Sequence, residues 1–246
     1  MSEHQFHTPG LRALELGIPV GGIDVETIDG DETTVVVSGD PKLVEQTRVE
    51  LRGDALVIDF HGRRGLLGMT IGRSALRVQA RVPHGVAAHL SSASADIEVR
   101  GRLASLDAKT ASGDITVTAE IDGNATVKTV SGDVRLGRVG GDLNVKSISG
   151  DVAAGAVAGS VAAKSVSGDV RVESVREGHA TFASVSGDIE IGIASGSDVD
   201  VDANTVSGDL SSEVPLASEP AKDGGGATVV VRGKTVSGDV RVVRAA

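Results

Sequence analysis

Thr129-Val130-Ser131-Gly132-Asp133-Val134, Ser147-Ile148-Ser149-Gly150-Asp151-Val152 and Ser165-Val166-Ser167-Gly168-Asp169-Val170 are one phrase written three times at an interval of 18 residues. The Ser-Gly-Asp triplet begins at Ser112, Ser131, Ser149, Ser167, Ser186, Ser207 and Ser237, and a degraded copy starts at Ser94, where Ala95 replaces the glycine. Successive spacings are 18, 19, 18, 18, 19 and 21, and then 30. A fixed period of about twenty residues marks a chain built by stacking one unit.

Each unit resolves into two half-units, such as GNATVKTVS and GDVRLGRVG. Glycine stands first, with apolar residues third, fifth and eighth. Alternation at three and five is a short strand with one buried face. The step from five to eight breaks that alternation and predicts a bend. So short a strand cannot satisfy its own backbone, so its partners lie elsewhere. If each half-unit lies over the one 18 residues earlier, strands pair in parallel and like positions stack about 4.8 Å apart. Val134, Val152, Val170 and Ile189 then form one apolar ladder, and Val127, Val145, Ala163 and Phe182 another. The expected fold is all-β: a parallel β-solenoid, a single-stranded β-helix of about 18 residues per coil. The alternative is a β-sandwich of antiparallel hairpins. Hairpins do not need the same residue in every second strand, whereas stacking favours it.

Residues 1–85 alternate without the repeat and read as a strand-rich cap, followed by solenoid repeats over 86–246. Ile23, Val25 and Thr27, then Val35 and Val37, then Leu76 to Val82 give strand signals. Asp40-Pro41 opens a short helical turn, since Asp is a good N-cap and Pro a good first residue. The longer last interval reads as a loop at 211–226, after which the final coil, with Val240, Val242 and Val243, ends the stack.

Repeated Thr/Ser-Val-Ser-Gly-Asp-Val units, behind a strand Leu76 to Val82 that closes with Pro83, and ending in Thr235-Val236-Ser237-Gly238-Asp239-Val240, resemble a bacterial β-strand-repeat family of unknown function. Its members are often labelled "putative adhesin". The resemblance covers most of the chain and implies a repeat fold. It brings no catalytic residues with it.

The composition narrows the function classes. The 246 residues contain no cysteine, which excludes disulfides and thiolate metal sites, and only three aromatic residues, all phenylalanine. A net charge of -10 argues against general nucleic-acid binding. The N-terminus shows no basic segment followed by an apolar run, so a cytoplasmic protein with no membrane span is expected. Serines repeated in every coil read as turn residues rather than nucleophiles. The six histidines show no metal-ligand spacing, no phosphate loop occurs, and no cofactor is expected.

Three groups of residues stand out. Asp114, Asp133, Asp151, Asp169, Asp188, Asp209 and Asp239 would stack as a column of carboxylates that repel one another. Backbone N–H groups, a bound cation or a basic column would offset that repulsion. Lys109, Lys128, Lys146, Lys164 and Lys234, five residues before an aspartate in each case, form the expected basic column. Arg63, Arg64, Leu66, Leu67 and Met69 make a loop suited to a partner. The chain therefore reads as a non-enzymatic scaffold or protein-interaction module. The alternatives are an adhesin-like module binding carbohydrate or protein, and a cytoskeleton-like β-helix that self-associates through its ends.

Overall fold

In a computed structural model that describes residues 1–61, 75–214 and 228–245, the chain is a parallel β-solenoid. It forms two compact units, Met1–Asp122 and Gly123–Ala246.

The second unit carries the repeat in its plainest form. Strands β11 (Ala125–Lys128), β13 (Leu143–Lys146), β15 (Val161–Lys164) and β17 (Gly178–Ala183) pair in parallel, each with the next. Their partners round the corner, β12 (Val134–Leu136), β14 (Val152–Val157), β16 (Val170–Val175) and β18 (Ile189–Ile193), do the same. The register is the one expected: Val134 faces Val152, Val170 and then Ile189, while Val127 faces Val145, Ala163 and then Phe182. These side chains are almost fully buried. Phe182 lies between Ala163 and Gly233, two small neighbours that leave room for its ring.

The two half-units differ at their eighth position. Val139, Val157, Val175 and Ile193 are buried, as a bend toward the core requires. At the other corner the alternation continues instead. Thr129, Ser147, Ser165, Ser184 and Thr235 turn inward, and Val130, Ile148, Val166, Val185 and Val236 face out.

The end of the stack departs from chain order. Strands β21 (Thr228–Ser237) and β22 (Val240–Arg244) pair directly with β17 and β18. On their far side lie β19 (Asp198–Ser207) and β20 (Leu210–Ser212). The C-terminal coil is therefore inserted between two earlier ones. The expected edge at Val240, Val242 and Val243 does not exist, and the edge coil is 198–212. Composition explains the order. Val229, Val231, Val240 and Val242 are buried, whereas β20 is exposed along its length and Asp198, Asp200 and Asp202 line β19. An end coil needs a polar outer face, and charges on an edge strand discourage further pairing.

In the first unit, β2 (Ala13–Ile28) is already a coil. It runs parallel to β7 (Val86–Arg100) over nearly its whole length, with Ile23 facing Ile97 and Val25 facing Val99. β7 pairs in parallel with β8 (Arg102–Lys109) and β9 (Ile115–Val117). On the other side of β2 lie β5 (Ala55–Phe60) and β6 (Leu76–Pro83). Three antiparallel strands then end the parallel stack: β4 (Thr47–Arg52) on β5, β3 (Glu32–Gly39) on β6, and β1 (Ser2–His7) on β3. Helix α1 (Pro41–Glu45) starts as expected, with the Lys42 N–H donating to Asp40 Oδ1 at 2.9 Å.

Candidate functional surfaces

The Ser-Gly-Asp corner is built from three local requirements. Its glycines hold φ between +118° and +146°, a region that residues with a side chain avoid. They also stack closely: a Cβ on Gly168 would lie 2.8 Å from the carbonyl carbon of Gly150, and nearer still to its oxygen. The serines join successive coils, with Ser131 facing Ser149, Ser149 facing Ser167, Ser167 facing Ser186 and Ser186 facing Ser237. The aspartate binds the next coil. In the second unit the Asp151 N–H donates to Asp133 Oδ1 at 3.1 Å, Asp169 to Asp151 at 3.0 Å and Asp188 to Asp169 at 2.8 Å. Asp239 then donates to Asp188 at 2.8 Å and Asp209 to Asp239 at 2.9 Å, following the inserted coil. In the first unit the Asp114 N–H donates to Asp96 Oδ1 at 3.1 Å.

The opposite corner repeats this chemistry with other residues, which the sequence reading passed over. The Asp142 N–H donates to Asn124 Oδ1 and the Ser160 N–H to Asp142 Oδ1, both at 2.8 Å. The His179 N–H donates to Ser160 Oγ at 3.2 Å. Asn, Asp and Ser share only a short side chain carrying an acceptor oxygen. That is the property a corner relay needs, and the signal was present in the pairs Gly123-Asn124, Gly141-Asp142 and Gly159-Ser160.

Three of the lysines lie in register with one another. Lys128 faces Lys146, which faces Lys164. Ala183 interrupts the row before Lys234, and Asn204 follows. Lys109, in the first unit, pairs with Asp107 at 3.0 Å. Among the described residues, none of Lys128, Lys146, Lys164 and Lys234 forms an ion pair with the aspartate column, whereas Arg135 pairs with Asp133 at 2.9 Å. Arg63, Arg64, Leu66, Leu67 and Met69 lie outside the described residues, as does 215–227, most of the loop read at 211–226.

Between the lysine and aspartate rows of the second unit stands a ridge absent from the sequence reading. Val130, Ile148, Val166, Val185 and Val236 are each about half exposed, between 47% and 51%, and Val206 on the edge coil reaches 83%. Backbone bonds fix their stacking: the Ser149 N–H donates to the Val130 carbonyl, Ser167 to Ile148, Ser186 to Val166 and Ser237 to Val185. Six coils thus present a β-branched apolar side chain at one outward position.

The first unit has a cleft of about 360 Å³ on the outer face of β5, β2, β7 and β8. Glu15, His89 and Asp107 lie side by side on successive strands, and Gly17 and Ser91 also line the cleft. Asp107 gives Oδ2 to Lys109 and leaves Oδ1 without a partner. His84 is engaged elsewhere, with Nδ1 2.5 Å from Thr27 Oγ1 and Nε2 3.5 Å from Asp29. Thr27 is buried and its oxygen also accepts the Arg102 N–H at 2.7 Å. This hydroxyl is therefore a corner group rather than an exposed nucleophile. Among the described residues no three His, Asp or Glu side chains are placed to hold a metal ion, and no helix is long and apolar enough to cross a membrane.

The family described as Toastrack DUF4097 matches residues 14–243. A solved structure described as a putative adhesin from Bacteroides fragilis aligns over 98% of this chain and 96% of that one, with 13% identity and a TM-score of 0.56. Another so described, from Parabacteroides merdae, aligns over 98% and 95% with 14% identity and a TM-score of 0.44. The first likeness shows the fold alone. No curated protein matches the chain.

Proposed function

We propose a function that proceeds from one premise: the chain belongs to the Toastrack DUF4097 family, the strand-repeat family that its Ser-Gly-Asp units resemble. It acts as a scaffold that presents a regular surface to a protein partner and catalyses no reaction. The observation that carries this reading is the ridge of Val130, Ile148, Val166, Val185, Val236 and Val206. Backbone relays account for the repeated serine, glycine and aspartate of each corner as architecture. They do not account for an exposed valine or isoleucine in six coils. Single exposed apolar residues need no explanation, but a contiguous row marks an interaction surface. The cytoplasm is the compartment proposed, and a cysteine-free chain has no disulfide to gain from an oxidising one.

A photo-crosslinking residue at Val166 tests the reading in intact cells, with the same residue at Arg171 as a control on another face. Discrete adducts at position 166 and not at 171 are expected. Equal yields at both positions, or none at 166, would overturn it. The adhesin-like alternative predicts those adducts only when the probe is activated on whole cells with the chain outside.

A further inference from the structure

The partner itself can be read from the order of the rows. Across this corner of the second unit the outward residues run lysine, valine or isoleucine, serine, aspartate: Lys128, Val130, Ser131 and the half-buried Asp133 in one coil, and Lys164, Val166, Ser167 and Asp169 in another. The rows run along the stack with a repeat of about 4.8 Å. An extended peptide laid along them repeats every two residues, at about 6.6–6.8 Å, and falls out of step. Another solenoid of the same repeat stays in step along the whole ridge.

We propose that the second unit pairs side by side with a second copy of this chain, ridge against ridge, with both stacks running in the same direction. The charge order selects this orientation. A twofold axis parallel to the rows exchanges left for right, so each lysine row meets the partner's aspartate row while valine meets valine. A twofold axis across the rows would set lysine against lysine and aspartate against aspartate, which opposes association. The ridge is convex, so the flanks diverge from the apolar contact. The long lysine side chain, its stem lying along apolar surface, suits that gap. The pairing also answers the charge problem of the column. Within one chain Asp133, Asp151, Asp169, Asp188 and Asp239 each accept a backbone N–H from the next coil, and the partner's lysines supply the opposite charge. Four lysines face six aspartates, because Ala183 and Asn204 occupy the other two positions.

Contact along six coils is about 24 Å long. Its total buried area is on the order of 800 Å², at the low end for specific complexes. The dimer is therefore weak and transient, as pairings through small interfaces are. This proposal deepens the scaffold reading and rests on it.

Sedimentation equilibrium of the full chain up to millimolar concentration tests it, together with cysteine pairing in a chain that has none of its own. A reversible monomer–dimer equilibrium is expected, weakened at least tenfold in Ile148→Lys/Val166→Lys with unchanged circular dichroism and melting temperature. On mild oxidation, Val130→Cys and, separately, Val185→Cys should each form a disulfide-linked dimer with itself. Opposed stacks would instead join Val130→Cys to Val206→Cys and Val185→Cys to Val166→Cys. A monomer at every concentration, a dimer indifferent to the ridge, or the opposed pairing pattern each overturns the proposal. Adducts at Val166 to a different protein, with the chain monomeric, would leave the scaffold reading standing and remove self-pairing alone.

Discussion

Replacing Gly168 by alanine tests whether the corner glycine is held by stacking as well as by its backbone angle. Gly168 sits at φ +118°, and an added Cβ would lie 2.8 Å from the Gly150 carbonyl carbon. The backbone conformation alone costs an alanine about 1–3 kcal/mol. Relieving the contact requires the coils to separate locally. That movement endangers the bond from the Asp169 N–H to Asp151 Oδ1, 3.0 Å long, and a hydrogen bond to a charged group is worth about 1.5–3 kcal/mol. The sum is about 4 kcal/mol, or roughly 10 °C in Tm for a chain of this size. Gly30→Ala is the control: its φ is +98°, but nothing lies within 4 Å of the added Cβ. It carries the backbone cost without the contact. Urea and thermal unfolding followed by far-UV circular dichroism compare the two variants. Repeat proteins can lose cooperativity, so both midpoints and slopes are compared. If Gly168→Ala is no more destabilising than Gly30→Ala, the stacking argument is wrong.

Other substitutions separate the remaining contributions. Asp169→Ala removes the acceptor of the Asp188 N–H and should cost about 1–3 kcal/mol, while Asp169→Asn, which keeps an oxygen there, should recover most of it by the same urea assay. Phe182→Ala leaves a void beside Ala163 and Gly233 and should cost about 3–5 kcal/mol. Glu50 is held below its ordinary carboxylate range by the hydrogen bond from Arg52, with Arg48 adding its charge. Its contribution to stability is thus present above the unfolded-state pKa and lost as pH falls through the lowered one. Titration by NMR should show Glu50 moving back up in Arg52→Ala.

The apolar ladders were legible because a period of 18 leaves a parallel stack few registers in which Val134, Val152 and Val170 coincide. The coil at β2 was not, because it lacks the triplet. Gly21 and Gly22 stand opposite Ala95 and Asp96, so stacking survives without the motif that advertises it. The ridge was hidden by a true pattern read one step too far. Apolar residues at the eighth position bend into the core at one corner and face out at the other, and hydropathy alone does not distinguish them. What separates the two is the residue before: Thr129, Ser147 and Ser165 fold inward, and the hydroxyls of Ser147 and Ser165 turn to backbone carbonyls. Lys128, Lys146 and Lys164 stand in register, but nearness in sequence to the aspartates did not bring the charges together.

The order of the last two coils was present in the composition. Asp198-Val199-Asp200-Val201-Asp202 alternates acid with valine, whereas Thr228-Val229-Val230-Val231 does not. A coil covered on both sides can be apolar, and one covered on a single side must carry charge on its free edge. Chain order suggested the reverse because a connection is assumed to lead to the next position in the stack. Burial decides against it, and the consequence is measurable. Val240 is 1% exposed and Leu210, its neighbour in the edge coil, 51%. Val240→Asp buries an unpaired charge between two coils and should cost at least about 3 kcal/mol. Leu210→Asp should stay within about 0.5 kcal/mol. Amide exchange should agree, with Val229 and Val231 protected longer than Val199 and Val201 although they come later in the chain. Equal costs for the two substitutions, with the earlier strand better protected, would restore sequential stacking and return the edge to the C-terminus.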